Sequence, residues 1–333
     1  MNILMFLGGL ILLVIGANAL VRGASKLALS FGISPLVVGL TIVAFGTSAP
    51  EVAVSVGAVL DGNADIAIGN VVGSNIFNVL FILGISALIA PLVVNIQLIR
   101  QEVPIMLGAS LLLLALTLDR RLSFMDGGVL FALLVAYTVF LVVQSRRETR
   151  AAKNEFASAI QPARGGAWDS HWAAQIGLIF AGLVALVFGS DYLVQASISF
   201  AKAMGVSDLV IGLTIVAAGT SMPEVATSIT AAIKGERDIA VGNVVGSNTF
   251  NILGCLGLSG LVSGDLGLVM ASSLLAFDIW VMLTVALAYL TLAAQQHDAL
   301  QAFSSVMMGF VVPLTLVTLV VVVIRRPAAA GEP

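Results

Sequence analysis

Two glutamates carry the chemistry that this sequence offers. Glu51 closes the stretch Gly46-Thr-Ser-Ala-Pro-Glu51, and Glu224 closes Gly219-Thr-Ser-Met-Pro-Glu224. Both lie inside long apolar runs, where a carboxylate is expensive and by default marks function. Proline has no amide hydrogen and clashes with the carbonyl four residues back. Pro50 is therefore expected to break its helix and free the carbonyls near Gly46, and that glycine lowers the cost of unwinding. Broken helices in hydrocarbon persist only where protein, water or an ion answers the exposed backbone. Thr47 and Ser48 add hydroxyls, and Glu51 adds a carboxylate about one turn on. Such hard oxygens suit sodium, calcium or magnesium rather than soft metals.

A second element follows each glutamate. Ser74 and Asn78 in Gly69-Asn-Val-Val-Gly-Ser-Asn-Ile-Phe-Asn78 are four apart and share a helix face. Their copies are Ser247 and Asn251. Asn75 lies off that line and is expected to bond a neighbouring helix. Gly69 and Gly73 read as positions of close helix approach. Asp65 and Asp238 read as N-caps. The two copies, residues 39–84 and 212–257, are identical at 31 of 46 positions without a gap, at a spacing of 173 residues. Repetition on that scale comes before any local feature.

The elements that must hold these groups are membrane helices. Of the 333 residues 59% are hydrophobic and 10% charged, against about 25% charged in an ordinary soluble protein. That excludes a soluble enzyme, and a net charge of −3 excludes a nucleic-acid binder. The single cysteine, Cys255, precludes an internal disulfide and reads as a packing residue. His171 and His297 stand in separate loops and form no zinc cluster. Ten segments are long and apolar enough to span: 2–20, 36–60, 66–90, 98–117, 125–145, 172–194, 209–233, 239–262, 274–293 and 303–324. The N-terminal one reads as a span rather than a signal peptide.

The expected fold is thus an all-α polytopic membrane protein of ten transmembrane helices. Residues 1–145 form a first five-helix repeat, 146–171 a polar linker, 172–326 a second repeat and 327–333 a tail. A unit with an odd number of spans inserts upside down the second time, so the repeats are expected to have inverted topology. Lys and Arg divide ten against five if the 146–171 loop is cytoplasmic, which puts both termini outside. Glu102 and Asp278, near the starts of spans four and nine, read as acidic caps at the interface, with a role on an ion path as the alternative.

Inverted repeats put their site at the midplane, where the broken helices of both halves meet. Helices 2, 3, 7 and 8 are therefore expected to surround one site with Glu51 facing Glu224. Two ionised carboxylates balance one calcium, two sodium ions or two protons, the interchangeability that an exchanger requires.

At these residues the chain resembles the cation/calcium exchanger superfamily, and specifically the prokaryotic sodium/calcium antiporters. The resemblance rests on Gly46–Glu51 with Gly73–Asn78 and their copies Gly219–Glu224 and Gly246–Asn251, and runs over the whole chain. It implies calcium export driven by sodium entry, through alternating access in which spans one and six slide past a central bundle. It makes Thr47, Ser48, Glu51, Ser74 and Asn78 ion ligands, with Thr220, Ser221, Glu224, Ser247 and Asn251, and adds the carbonyls of Ala44 and Ala217. It implies no cofactor: calcium and sodium are transported ions, the other partner is the lipid bilayer, expected to be a prokaryotic inner membrane, and a monomer suffices. Some relatives carry aspartate where this chain has Asn251, so the site has two carboxylates and not three. That leaves proton or potassium coupling as an alternative to sodium. An intramembrane enzyme lacks an embedded nucleophile–base pair, and a channel fits an occluding midplane site poorly.

Overall fold

A computed structural model describes residues 2–90, 96–159, 171–206, 215, 217–271 and 274–295. The chain runs through α1 (Asn2–Phe31), α2 (Pro35–Thr47), α3 (Ala49–Leu60), α4 (Ala64–Ile89), α5 (Leu98–Leu116), α6 (Phe124–Ala159) and α7 (Trp172–Ala203). It continues through α8 (Ala217–Thr220), α9 (Met222–Ile233), α10 (Arg237–Val262) and α11 (Ile279–Gln295). α1, α4, α5, α6, α7 and α10 are each long and apolar enough to cross a membrane, and α2 with α3 adds a seventh crossing as a bent pair. Span ten and the first part of span seven lie outside the described residues. The molecule is an integral, multi-pass membrane protein.

The described part is helical but for one short antiparallel ribbon, a departure from an all-α fold. β1 (Arg121–Leu122) pairs with β2 (Leu268–Val269), Arg121 opposite Val269 and Leu122 opposite Leu268. It ties the loop before α6 to the loop before α11. Several helices outrun their expected ends. α1 continues past Arg22 and Lys26 to Phe31, and α6 past position 145 into the linker, because no Pro or Gly interrupts residues 129–159.

Glycine ends the helices at repeated positions. Gly32 (φ 64°) closes α1, with the Ile33 amide donating back to Ala28 O at 2.9 Å, and Gly205 (φ 78°) closes α7 through Val206 and Ala201 O at 3.0 Å. Left-handed φ is cheap only for glycine, and this closure satisfies carbonyls that would otherwise be orphaned. Asp65 does not cap its own helix. Its carboxylate accepts the Ala271 amide at 2.8 Å, and Asn63 and Glu236 hold the cap positions of α4 and α10 without a side-chain bond.

α1 and α7 pack as a pair. Gly9 lies against Gly189, Gly16 against Gly182 and Gly23 against Gln175, so the helices run antiparallel. A Cβ at Gly16 would come 2.8 Å from Gly182 O. Small residues that let backbones meet are what hold membrane helices together, since lipid removes the hydrophobic drive between them. The outer faces of α1, α6 and α7 expose Leu4, Ile11, Val139, Phe180 and Phe188, apolar surface fit for lipid. α10 is buried along its whole crossing, so the centre of the fold lies there. Gly242 and Gly246 bring it onto the backbone of Leu36 and Leu40 in α2. The matching neighbours of Gly69 and Gly73, residues 209–216, lie almost wholly outside the described residues.

A buried carboxylate joins α5 to α6. Glu102 is fully buried and accepts from Tyr137 Oη at 2.7 Å, Gln101 Nε2 at 2.6 Å and Gln97 Nε2 at 3.2 Å. It is a tie between helices rather than an interface cap, whereas Asp278 stays partly exposed.

Candidate functional site

The breaks fall where the prolines put them. α2 stops at Thr47 and α3 starts at Ala49, bent by 43° about Ser48. Ser48 (φ −81°, ψ 6°) and Ser221 (φ −85°, ψ 8°) take the same non-helical conformation, and Pro50 and Pro223 sit in the first turns that follow. Glu51 and Glu224 occupy those same first turns, where the helix dipole favours an anion.

Ser48 and Glu51 have the spacing of a capping box, in which each side chain would cap its own helix. Neither serine caps its own helix. Ser48 Oγ donates to Glu224 Oε1 at 3.1 Å, and Ser221 Oγ donates to Glu51 Oε1 at 3.1 Å. The box is exchanged between the two halves. This reciprocal pair brings Ser48, Glu51, Ser221 and Glu224 together, all fully buried.

Thr47 and Thr220 are steadied by residues that sequence reasoning missed. Thr47 Oγ1 donates to Asn243 Oδ1 at 3.0 Å, and Asn243 Nδ2 donates to Ser228 Oγ at 2.9 Å. Thr220 Oγ1 donates to Asn70 Oδ1 at 3.4 Å, and Asn70 Nδ2 donates to Ser55 Oγ at 3.1 Å and to the Glu51 carbonyl at 3.3 Å. The signal was available, since Asn70, Asn243, Ser55 and Ser228 all return at the repeat spacing. The Ala44 carbonyl accepts the Ser48 amide at 3.0 Å and Thr47 Oγ1 at 3.4 Å. Ala217 opens α8.

α4 and α10 cross beside the glutamates. Asn75 Nδ2 donates to Asn248 O and Asn248 Nδ2 to Asn75 O, each at 3.1 Å, so Asn75 bonds the neighbouring helix as expected. Asn78 and Asn251 both open π-helical turns, Asn78–Ile82 and Asn251–Leu256, a distortion frequent at functional sites. Ser74, Asn78, Ser247 and Asn251 are all buried here.

Four buried oxygens at this centre have no hydrogen bond of ordinary length among the described residues: Glu51 Oε2, Glu224 Oε2, Asn78 Oδ1 and Ser247 Oγ, the last of which faces the Glu224 carboxylate. Buried polar atoms ordinarily find partners. No Lys or Arg stands in α2, α3, α4, α8 or α9, and α10 has one only at its first residue, Arg237. Among the described residues no group of three or more His, Cys, Asp or Glu forms. The donor set is hard, with two carboxyl groups and otherwise neutral oxygens. It fits a hard, weakly polarisable cation rather than a tightly held soft metal.

The fold and site define a polytopic membrane protein with a buried, oxygen-rich centre. The sodium/calcium exchanger protein family matches residues 1–143 and 174–325, and the chain belongs to that family. It is 37% identical over 287 residues to the putative antiporter CaxA of Alkalimonas amylolytica, covering 86% of this chain and 87% of that protein. It is 35% identical over 289 residues to the sodium/calcium exchanger MaX1 of Methanosarcina acetivorans, covering 78% and 83%. Its structure resembles that of the sodium-calcium exchanger NCX_Mj soaked with zero Na+ and Ca2+, with a TM-score of 0.78 at 28% identity over 94% of this chain and 98% of that one. The protein is a cation/calcium exchanger, a transporter and not an enzyme.

Proposed function

We propose that the protein exchanges calcium for sodium across the membrane by alternating access at one site between its halves. Glu51 and Glu224 would carry the ion charge, with Thr47, Ser48, Ser74, Asn78, Thr220, Ser221, Ser247 and Asn251 around them and the carbonyls of Ala44 and Ala217 at the helix breaks. The observation that carries this reading is the pair of buried carboxylates, each with an oxygen that finds no ordinary hydrogen bond among the described residues, beside the free Asn78 oxygen and with no basic residue in the helices that hold them. Two negative charges in low dielectric demand compensation, and one calcium or two sodium ions supply it equally.

Inverted halves are supported by two features. Reciprocal bonds between repeat-equivalent residues imply a pseudo-two-fold relation. The equivalent helices α1 and α7 run antiparallel, which fits an axis perpendicular to them, in the membrane plane. The α1–α7 pair departs from that symmetry. α1 lies along α9, whereas α7 has no comparable seat on α3 among the described residues. A pair held off-centre on a symmetric core supports two alternative seats, one for each open face, with both termini outside and the linker cytoplasmic.

The test is calcium flux in proteoliposomes with sodium, potassium and proton gradients imposed separately. Calcium uptake is expected to follow an outward sodium gradient and to stop without it. The second reading, proton or potassium coupling, rests on Asn78 and Asn251 leaving only two carboxylates. Calcium movement driven by either of those gradients without sodium would put it in place of the first.

A further inference from the structure

The reciprocity of the site fails at one pair of residues. Position 82 is Ile, and its repeat equivalent is Cys255. Each lies four residues beyond an asparagine of the site, stacked over it along a π-helical turn. Cys255 Sγ donates to Asn251 Oδ1 at 3.5 Å. Ile82 has nothing to donate, and Asn78 Oδ1 has no partner. The two amides, identical in sequence, consequently differ in what they offer.

The difference carries through to their serines. Asn251 Nδ2 donates to Ser74 Oγ and to Asn75 Oδ1, each at 3.1 Å, and Ser74 Oγ donates to Val71 O at 3.2 Å. Asn78 Nδ2 donates to Asn248 Oδ1 at 3.0 Å, and Ser247 Oγ, with no bond of ordinary length among the described residues, faces the Glu224 carboxylate. Asn251 is therefore engaged at both ends, and Ser74 is engaged with it. Asn78 keeps a free, fully buried oxygen, and Ser247, equally buried, has only the Glu224 carboxylate to turn to among the described residues.

We propose that Cys255 is a positioning residue that makes the ion site lopsided: its thiol holds the Asn251 oxygen, so that Asn251 clamps the halves together while Asn78, with Ser247, presents oxygen to the hard cation. A thiol is a weak donor, strong enough to occupy an amide oxygen that has no better donor among the described residues and weak enough to leave its packing unchanged. The site then coordinates with the second oxygen of each carboxylate and the Asn78 amide oxygen, with the Ser247 hydroxyl beside Glu224. This rests on the cation-site reading above and narrows it, because sequence equivalence makes the two asparagines and the two serines interchangeable.

The experiment moves the donor between the halves. In reconstituted wild-type protein and variants, calcium-dependent flux gives the half-saturating calcium concentration and the maximal rate. Calcium-dependent shifts of the thermal midpoint in detergent give binding independently of turnover. Ile82→Cys puts a thiol over Asn78 and is expected to raise half-saturating calcium at least fivefold, whereas Ile82→Ala, which loses more volume but donates nothing, changes it less than twofold. Cys255→Ala releases the Asn251 oxygen and is expected to lower half-saturating calcium at least threefold with a slower maximal rate, and Cys255→Ser is expected to restore wild-type behaviour. If Ile82→Cys tracks Ile82→Ala and Cys255→Ala tracks Cys255→Ser, both positions are packing only and the proposal falls. If wild-type protein shows neither calcium flux nor a calcium-dependent midpoint shift, the cation-site reading falls with it. The two failures are thus told apart by the wild-type measurement.

Discussion

Replacing Glu51 by glutamine is the sharpest perturbation of the site, since it keeps the shape and removes one charge. The amide retains an oxygen for Ser221 Oγ, now 3.1 Å from Glu51 Oε1, so the exchanged capping box survives. What is lost is half of the negative charge facing the cation, from a fully buried position. Removing one partner of a buried charge pair costs about 2–5 kcal/mol. At about 1.4 kcal/mol per factor of ten, calcium binds roughly 30-fold to several thousand-fold more weakly. Calcium at about 100 times the wild-type dissociation constant stabilises wild-type protein by about 2.7 kcal/mol, and Glu51→Gln by less than about 1 kcal/mol. Without calcium the variant is expected to be no less stable than wild type, because a neutral amide costs less to bury than a carboxyl group that must either stay charged or take up a proton. Thermal midpoints in detergent across a calcium titration read both effects, and vesicle flux reads the loss of transport. Glu224→Gln should behave alike, its bond to Ser48 Oγ being the same length. A calcium-dependent shift as large as that of wild type in both variants would refute the argument, because neither carboxylate would then be compensating the ion.

Three further outcomes follow from other parts of the fold. Gly16→Ala places a Cβ 2.8 Å from Gly182 O, so α1 and α7 must part; a loss of about 1–3 kcal/mol and slowed exchange are expected, read as a lower thermal midpoint and lower flux. Asn243→Leu removes the 3.0 and 2.9 Å bonds of the buried Thr47 and Ser228 hydroxyls and leaves them their 3.4 Å bonds to Ala44 O and Ala240 O, at about 0.5–1.5 kcal/mol for each bond lost; calcium flux should fall although no charge has changed, and an unaltered rate and midpoint would show that the brace is dispensable. Tyr137→Phe removes the 2.7 Å bond to Glu102 Oε2, which should cost about 1–3 kcal/mol in thermal unfolding while half-saturating calcium stays as in wild type. A changed calcium dependence would instead connect Glu102 to the ion path.

The parts that sequence shows most directly are those decided by a single residue's backbone. Pro50 and Pro223 place the breaks, since an imino acid removes a helical hydrogen bond wherever it falls. The carboxylates and the spacing of Ser74 and Asn78 are visible because lipid makes any polar residue in a span conspicuous. The glycines of the α1–α7 pair were not found, although Gly9, Gly16 and Gly23 recur every seven residues. A glycine row shows that something approaches closely, not which helix it is. Asp65 and Glu102 were misjudged for a related reason: a carboxylate near a helix start satisfies a local rule, and only the tertiary arrangement brings the Ala271 amide or the Tyr137 hydroxyl to it.

The exchanged serine–glutamate pairs show why the site itself needed three dimensions. Ser48 and Glu51 are spaced for a cap within one helix, and so are Ser221 and Glu224. Either arrangement leaves four hydrogen-bonding side chains equally well matched in number, so residue types cannot choose between them. The choice falls to the backbone. With Ser48 near ψ 6° and α3 bent 43° away from α2, each serine bonds across the interface and leaves its own helix uncapped by a side chain. That cost is offset only where two such breaks meet face to face. A site of this kind therefore cannot form in one half alone. The recurrence of the same polar residues in both stretches fits that mutual dependence, and the Ile82–Cys255 difference is one of the places where the halves diverge without losing it.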